Sequence, residues 1–447
     1  MNRTIYTVIF YLASPLIWFY FIWRAIKAPE YREGFLQRLG VLSKVEQRGI
    51  IVHCASVGET RAAIPLIKQL IADYPQLPIT ITNTTPTGKK VIEEVFGQKA
   101  FCQEVSGKSV GEKQASGKRA DETQIQQVYL PIDWPGSCQR FIQSLRPRLV
   151  ILMETELWPN LLHQLKRKEV PVLLANARLS KKSMKKYSKH PALTKTLFDN
   201  VSLVAAQYKS DVNNFLALGV EEKKVKQIGS IKFDLQVPAE LKQRQKQLKE
   251  LWAERRPVWV AASIHPGEFE QILETHRKLL AKMPDLLLIG IPRHPEKFAD
   301  FKNACENSGL NFISRSEARQ PDNNTQIVVG DTMGEMMLFC GIADIVFVGG
   351  SLIERGGQNP LEAIACGAPV MIGHSYYNFA DVCQILDEQG VLISCKNAAE
   401  LEHNIHQLLN HPERLIDLSA KAAQIMAANR GCVDRLSSLS RELLNLH

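Results

Sequence analysis

The feature that most constrains the fold is an alternation of short apolar runs with longer amphipathic stretches. Seven runs rich in Val, Ile and Leu lie between residues 50 and 228, as expected for strands covered on both faces. They are residues 50–53, 79–83, 128–130, 149–153, 170–175, 203–206 and 225–228. Amphipathic stretches such as 61–73 and 211–218 separate them, and this order predicts a doubly wound parallel sheet.

The alternation stops at 235–256, a polar and highly charged stretch that predicts a linker and a surface helix. It resumes with seven further runs, at residues 258–262, 286–289, 311–314, 327–329, 345–348, 369–372 and 391–393. The sequence therefore predicts two Rossmann-like domains, with the site in a cleft at the carboxyl ends of their strands. Residues 103–126, rich in Gly, Ser, Lys and Glu, predict a flexible surface insertion.

The N-terminal segment predicts attachment to a membrane. The twenty residues between Arg3 and Arg24 carry no charge, which is the length of a helix that spans a bilayer. Ser14 and Pro15 in the middle of the segment leave a shallow helix in the membrane surface as the alternative. The cations that follow the segment predict a cytoplasmic body. Nine cysteines without close pairs agree with that compartment, because they indicate free thiols rather than a disulfide framework.

The net charge of +9 suggests an acidic partner, namely nucleic acid, an anionic membrane or a phosphorylated substrate. The positions of the basic residues help to distinguish among these three. Residues 170–198 contain seven basic and no acidic residues, and residues 1–48 contain seven basic and three acidic ones. The first stretch is either a solvated basic helix or a patch for the phosphates of an acceptor or of anionic lipids. Nucleic acid is disfavoured because no aromatic series is interleaved. The candidate acceptor-binding residues are Arg178, Lys181, Lys182, Lys185 and Lys186.

One segment of the second half has the composition of a nucleotide-phosphate site. A predicted strand ends in Gly349, Gly350 and Ser351, and a second glycine pair at 356–357 precedes a predicted helix. Glycines let a backbone approach a phosphate, and the amino end of a helix offers free N–H groups. Glu362, in the first turn of that helix, is placed to accept from ribose hydroxyls. The alternative is that the glycines serve only tight turns.

Other strand ends of the second half carry polar side chains. Arginine there can hold a phosphate, although an ordinary surface salt bridge is an equal alternative. Gly334 precedes another predicted helix, where Asp331 or Thr332 can equally be a helix cap. The polar side chains are Ser263, His265 and Glu268 after one strand, and Arg293 and His294 after the next.

The first half places carboxylates after two of its strands. Glu59 follows a strand and a glycine turn near the start of a helix, and Glu154 and Glu156 follow another strand. Glu59 is either a first-turn acid that complements the helix dipole or a general base facing the cleft. Carboxylates at the ends of two strands of one sheet favour the interpretation as a catalytic site.

Seven motifs carry a family resemblance over nearly the whole chain except residues 103–126. They are ASVGET, ETELWPN, NARLS, GSIKFD, PRHPE, VVGDTMGE and GG-x-NPLE, in this order after a short hydrophobic N-terminus. Together they closely resemble the bacterial 3-deoxy-D-manno-octulosonic acid (Kdo) transferases of lipopolysaccharide assembly.

The resemblance implies a GT-B glycosyltransferase at the inner membrane that inverts the anomeric centre. The donor is CMP-Kdo, and the acceptor is the tetraacylated, bisphosphorylated disaccharide precursor of lipid A (lipid IVA). No metal or other cofactor is expected. The implied organisation is a membrane anchor at 1–27, an acceptor domain at 28–230, a donor domain at 231–425, and a final helix at 426–447 that packs back on the first domain.

The resemblance also assigns residues. Glu59 is the implied base, and Glu154 is linked to the acceptor side. Gln358 stands where relatives have His, and since Gln cannot be protonated, an acid or cationic role at this position is in question. The donor contacts that the resemblance implies are Pro292, Arg293, Met333, Gly334, Glu335, Asn359, Pro360, Leu361 and Glu362. The strand-end motifs add Ser263, Gly350 and Ser351 as expected donor contacts.

Two other functions remain open from the sequence. Glu354 and Glu362 have the E-x₇-E spacing of some GT-B enzymes that use UDP-sugars. A membrane-tethered scaffold with a degenerate nucleotide site is the second alternative. Release of CMP from CMP-Kdo in the presence of a lipid A precursor would distinguish both from a Kdo transferase.

Overall fold

A computed structural model describes residues 1–97, 125–253 and 256–445. The chain forms two compact units, each with its own sheet of seven parallel strands. The first unit comprises Met1–Asp234 and Arg430–His447, and the second comprises Leu235–Asn429. The chain leaves the first unit after residue 234 and returns to it after residue 429, slightly beyond the boundaries expected at 230 and 425.

The first sheet has the strand order β3-β2-β1-β4-β5-β6-β7. Its strands are buried along most of their length, apart from the edge strand β7, as the run of apolar residues predicts. Most of the predicted insertion lies outside the described residues, but its last two residues, Ile125 and Gln126, belong to β3. The strands are β1 Ile50–Cys54, β2 Ile79–Asn83, β3 Ile125–Tyr129, β4 Leu149–Met153, β5 Val172–Ala177, β6 Leu203–Ala206 and β7 Val225–Gln227.

Helices cover both faces of this sheet, and two apolar clusters form its core. The described helices before the second unit are α1 Arg3–Leu12, α2 Ser14–Lys27, α3 Phe35–Arg38, α4 Val57–Asp73, α5 Pro86–Phe96, α6 Pro135–Leu145, α7 Pro159–Arg167, α8 Lys181–Ser188, α9 Pro191–Asp199 and α10 Lys209–Ala217.

The second sheet has the order β10-β11-β9-β8-β12-β13-β14. Its strands are β8 Val258–Ile264, β9 Leu287–Pro292, β10 Phe312–Ser314, β11 Ile327–Val329, β12 Ile345–Val348, β13 Val370–Gly373 and β14 Leu392–Cys395. Its helices are α11 Ala239–Ala253, α12 Phe269–Leu280, α13 Phe298–Ser308, α14 Met336–Cys340, α15 Leu361–Ala365, α16 Ala380–Glu388, α17 Ala398–Leu409 and α18 Pro412–Asn429.

The last helix, α19 at Cys432–Asn445, belongs to the first unit. It starts later than residue 426 because α18 continues to Asn429 and Gly431 then adopts a left-handed φ of 85°. Asp234 accepts from the N–H groups of Gly431 (2.6 Å) and Val433 (2.5 Å), which secures the start of the helix. Its apolar side chains join the core beneath α4. The C-terminal helix therefore supports the helix that carries Glu59.

The apolar N-terminus forms two helices rather than the single one expected. α1 and α2 meet at 52°, and Pro15 lies in the first turn of α2. Proline has no N–H and clashes with the preceding turn, which explains the break. In the described part of the chain no single helix is long and apolar enough to cross a membrane, but this bent pair qualifies by combined length and composition.

Candidate active site

In each sheet the strand order reverses at one point, and ligands of open parallel sheets bind beside such points. In the first sheet the reversal lies between β1 and β4, whose carboxyl ends lead to Glu59 and Glu154. In the second sheet it lies between β8 and β12, which lead to His265 and Gly350. The topology thus brings the candidate residues of each unit to the expected edge of its own sheet.

Glu59 lies in the first turn of α4 and hydrogen-bonds to the start of its own helix. The Ser56 hydroxyl accepts from the N–H of Glu59 (3.2 Å) and donates to its carboxylate (2.9 Å), which also accepts from the N–H of Ala55 (2.8 Å). Burial raises the pKa of Glu59 to about 7. These hydrogen bonds oppose the shift, and the charges of Glu154 and Glu156 add to it. The side chain is a capping acid whose pKa also suits a base near neutral pH.

Two strand ends of the first sheet contain a non-glycine residue with left-handed backbone. Glu154 has a left-handed φ of 57°, and Asn176, at an irregularity in β5, has one of 51°. A left-handed φ costs a residue such as Glu154 about 1–2 kcal/mol, whereas Asn adopts it more readily because its short side chain can hydrogen-bond locally, and backbone strain is common at functional sites. Hydrogen bonds hold both residues in this conformation. The Glu154 N–H donates to Ala175 O (2.9 Å), and the Asn176 side chain accepts from Ile231 N–H (3.1 Å).

The basic patch predicted at 178–186 lies on α8 and the turn before it. Lys181, Lys182, Lys185 and Lys186 are exposed, and within the described residues they form no ion pair. Tyr187 on the same helix is half-buried, and its pKa is raised by burial and by the charge of Glu156. The helix therefore lies beside the acidic edge of the first sheet.

The first glycine pair of the second unit does not present free N–H groups. The buried carboxylate of Glu268 accepts from the N–H groups of Gly350 (2.7 Å) and Ser351 (3.0 Å). In the second pair, Gly356 donates to the Ser375 hydroxyl (3.2 Å) and Gly357 donates to Gly350 O (2.8 Å). The protein itself satisfies these N–H groups, so a phosphate could bind them only by displacing a partner, and the donor contacts expected at Gly350 and Ser351 stay a prediction.

Side chains beside these glycines supply the positive charge. Arg293 Nε donates to Gln358 Oε1 (3.0 Å), and its terminal nitrogens make no hydrogen bond to the described part of the protein. The rings of His265 and His294 meet edge to face, with centroids 5.5 Å apart. The pKa of His265 is lowered by burial and by the neighbouring His294, Arg355 and Arg293. Arg293, rather than His265, is therefore the fixed cation at this edge.

Gln358 itself acts as an acceptor in the structure. Its amide oxygen binds Arg293, so the side chain orients a guanidinium instead of supplying a charge. Gly350 has a left-handed φ of 69°, and an added Cβ would lie 3.2 Å from the His265 ring and 3.5 Å from the Gln358 amide. The glycine thus lets the backbone come close to both side chains. Ser263, with a left-handed φ of 56°, lies at an irregularity in β8, and Pro292 ends β9 beside it.

The loop before α14 is held by ion pairs. The Glu335 carboxylate accepts two hydrogen bonds from Arg315 (3.0 Å each) and one from the Thr332 hydroxyl (2.6 Å), which keep its pKa below the usual range although burial opposes the shift. Asp331 pairs with Lys302 (2.6 Å), so neither Asp331 nor Thr332 is the helix cap considered above. Because the carboxylate of Glu335 is engaged, the groups that this loop offers outward are its backbone and the exposed Met333.

The last predicted segment begins α15. Asn359 accepts from the N–H of Leu361 (3.1 Å) and donates to Glu362 (3.4 Å), and Pro360 precedes the helix. Glu362 lies in the first helical turn, as expected. Sequence reasoning missed Arg315, although it also follows a strand end, because its partner Glu335 is twenty residues away.

Comparisons with known proteins agree with this architecture. Residues 33–235 match a family model described as 3-deoxy-D-manno-octulosonic-acid transferase (kdotransferase), and residues 269–425 match one described as glycosyl transferases group 1. The 3-deoxy-D-manno-octulosonic acid transferase of Haemophilus influenzae is 40% identical over 99% of both chains. The transferase of the same name from Bordetella pertussis is 32% identical over 97% of this chain and 98% of its own.

Solved structures show the fold. MnaA of S. aureus in complex with UDP is 16% identical, covers 90% of this chain and 98% of its own, and has a TM-score of 0.53. A glycosyltransferase from Rickettsia africae is 13% identical, covers 90% and 99%, and has the same TM-score of 0.53. The chain is a glycosyltransferase of the GT-B fold and belongs to the 3-deoxy-D-manno-octulosonic acid (Kdo) transferase family.

Proposed function

We propose that this enzyme transfers Kdo from CMP-Kdo to lipid IVA, the tetraacylated and bisphosphorylated disaccharide precursor of lipid A, in lipopolysaccharide core biosynthesis. The observation that carries the acceptor assignment is the carboxyl of Glu59, with a pKa of about 7, at the same sheet edge as the exposed lysines of α8. A sugar hydroxyl needs a base, and two phosphates need cations. Family membership supports Kdo as the transferred sugar.

In the proposed reaction a hydroxyl of the acceptor attacks the anomeric carbon of Kdo. The proton of that hydroxyl passes to Glu59, the bond between the anomeric carbon and the phosphate oxygen breaks, and CMP departs with the electron pair. Arg293 stabilises the charge that develops on the single phosphate of CMP. We propose that the reaction needs no metal ion, because a guanidinium can meet a charge of this size.

The proposal is tested by incubating the enzyme with CMP-Kdo and lipid IVA and measuring CMP release together with product mass. A mass increase by one or more Kdo residues supports it, and the number added follows from the same spectrum. Thermal shifts with CMP and with UDP test the donor separately. Stabilisation by UDP but not by CMP would favour the UDP-sugar alternative, and no turnover with intact CMP binding would favour the scaffold. Activity lost to a chelator and restored by a divalent cation would contradict metal independence.

The lysines of α8 are proposed to bind the acceptor phosphates. Reversing the charges of Lys182 and Lys186 to Glu is expected to raise the apparent KM for lipid IVA several-fold and leave CMP affinity unchanged. A surface cation near a membrane contributes about 1 kcal/mol. The matched control reverses Lys242 and Lys246, which are exposed one turn apart on α11. If both variants have the same KM for lipid IVA, the lysines of α8 are an ordinary solvated surface and do not bind the acceptor.

We further propose that α1 and α2 attach the enzyme to the cytoplasmic face of the bacterial inner membrane by lying in its surface. Asn160, at the start of α7, accepts from the side chains of Arg3 (3.0 Å) and Thr7 (2.9 Å), so α1 is bound along the body. These contacts support a helix that lies along the body rather than one that crosses the bilayer. The opposite sides of the pair expose apolar residues, namely Ile5, Val8, Ile9, Leu12, Leu16, Phe19, Ile22 and Ile26.

This orientation predicts the side from which the N-terminus can be labelled. A Thr4→Cys variant should react with an impermeant maleimide in inverted inner-membrane vesicles and not in intact spheroplasts. Thr4 is exposed, the native cysteines in the described part of the chain are buried or half-buried, and Cys102, outside that part, is replaced by Ser in every variant. Lys246→Cys, on an exposed position of the body, is the positive control. Labelling of Thr4→Cys only in spheroplasts would show a spanning segment instead.

A further inference from the structure

A buried carboxylate occupies the turn formed by the first glycine pair of the second unit. Glu268 is completely buried and accepts four backbone hydrogen bonds: from His265 (3.0 Å), Gly350 (2.7 Å), Ser351 (3.0 Å) and Leu352 (3.0 Å). Within the described residues it forms no ion pair. A buried charge is costly unless hydrogen bonds satisfy it, and consecutive N–H groups form a favourable site for an anion. The protein thus fills its own anion-binding turn.

This carboxylate joins the two strand ends at the reversal point of the second sheet. His265 follows β8 and Gly350 follows β12, and Glu268 binds the N–H groups of both. Gly350 O accepts from the N–H of Gly357 (2.8 Å), and the next residue, Gln358, accepts from Arg293 Nε (3.0 Å). A continuous series of contacts therefore leads from the buried carboxylate to the exposed guanidinium.

We infer that Glu268 is a positioning residue for donor binding, an internal anion that holds the glycine loop and so orients Gln358 and Arg293 toward the donor phosphate. It also keeps that phosphate out of the turn, since the turn's N–H groups are taken. The inference rests on the proposed CMP-Kdo donor. The competing possibility is that the phosphate displaces Glu268 and occupies the turn itself, and the two possibilities predict changes of opposite sign in CMP affinity.

The test measures CMP binding by calorimetry in Glu268→Gln, with Glu270→Gln as the matched control. Glu270 lies two residues further along, in the first turn of α12, but is exposed, so its variant makes the same chemical change without touching the loop. A Gln side chain retains one acceptor oxygen and turns an amide donor toward the N–H groups. CMP affinity should fall roughly 10- to 100-fold, as expected when binding groups are misplaced. The KM for CMP-Kdo should rise, and the KM for the acceptor should stay constant.

An unchanged or tighter affinity for CMP in a folded Glu268→Gln protein would overturn the inference. A general loss of structure would instead change both KM values and the melting temperature together. If Glu268→Gln does not fold, Glu268→Asp serves in its place, because it retains the charge but is shorter by one methylene. A CMP affinity equal to that of the wild type in Glu268→Asp would also contradict the inference. Absence of CMP binding to the wild-type protein would contradict the proposed donor rather than the role of Glu268.

Discussion

Replacing Glu59 with Gln is expected to lower turnover by about 10²–10⁴-fold, the contribution typical of a general base. The amide cannot take the proton of the acceptor hydroxyl but has nearly the same shape. It can still accept from the N–H of Ala55, which the carboxylate binds at 2.8 Å. The variant should therefore fold and bind CMP as the wild type does. The measurement is kcat with CMP-Kdo and lipid IVA at saturating concentrations, and a value near that of the wild type would exclude Glu59 as the base.

Because Glu59 also caps its helix, the loss of the cap must be separated from the loss of the base. Ser56→Ala removes the hydroxyl that both caps α4 and donates to Glu59, but it leaves the carboxylate in place. An N-cap is worth roughly 1 kcal/mol, so this control should lower the melting temperature and reduce turnover far less than Glu59→Gln. Equal losses in the two variants would indicate that Glu59 serves the structure of α4 rather than the reaction.

The raised pKa of Glu59 also fixes the direction of the pH dependence. A base acts when it is deprotonated, so kcat should fall as the pH decreases through about 7. Stability follows the opposite trend, because a carboxyl with a raised pKa in the folded state opposes folding when it ionises. Its contribution to the free energy of unfolding therefore decreases as the pH rises from about 4.5 to about 7. Glu59→Gln should remove both dependences.

The fold could be predicted from the sequence because a strand that is buried on both faces consists of a continuous run of apolar residues. All fourteen predicted strands occur, with ends that differ by a few residues. For the N-terminal segment the sequence predicts a single helix, although Pro15, where the structure breaks it, is unfavourable for a spanning helix. Continuous apolar character, however, says nothing about whether such a segment crosses a membrane or lies along the body.

The functional groups were harder to predict, because their state depends on partners far apart in sequence. Glycines at 349–350 indicate an anion-binding turn, but Glu268, which fills it, lies 82 residues before Gly350. The pKa of Glu59 is raised chiefly by burial, which no local motif encodes. The sequence therefore predicted which strand ends carry candidate residues, while only the structure shows which groups at those ends already have partners within the protein.

Replacing Arg293 with Ala is expected to reduce kcat/KM for CMP-Kdo by on the order of 10²-fold, the usual cost of removing one donor that stabilises a developing charge. Arg293→Lys should recover part of this loss, because it restores the charge without the planar fork. Arg277→Ala is the control, since Arg277 is an exposed arginine of the same unit that binds Glu274 and Ser308 O. A kcat/KM within twofold of the wild type in Arg293→Ala would contradict the proposed role.

Gln358 provides a second test of the same site, because its oxygen binds Arg293 Nε at 3.0 Å. If Gln358 acts only by orienting the guanidinium, Gln358→Ala should reduce kcat/KM modestly in the wild-type background and have no effect once Arg293 is Ala. Such non-additivity is the signature of residues that work through one another. Independent, additive losses would mean that Gln358 contacts the donor directly.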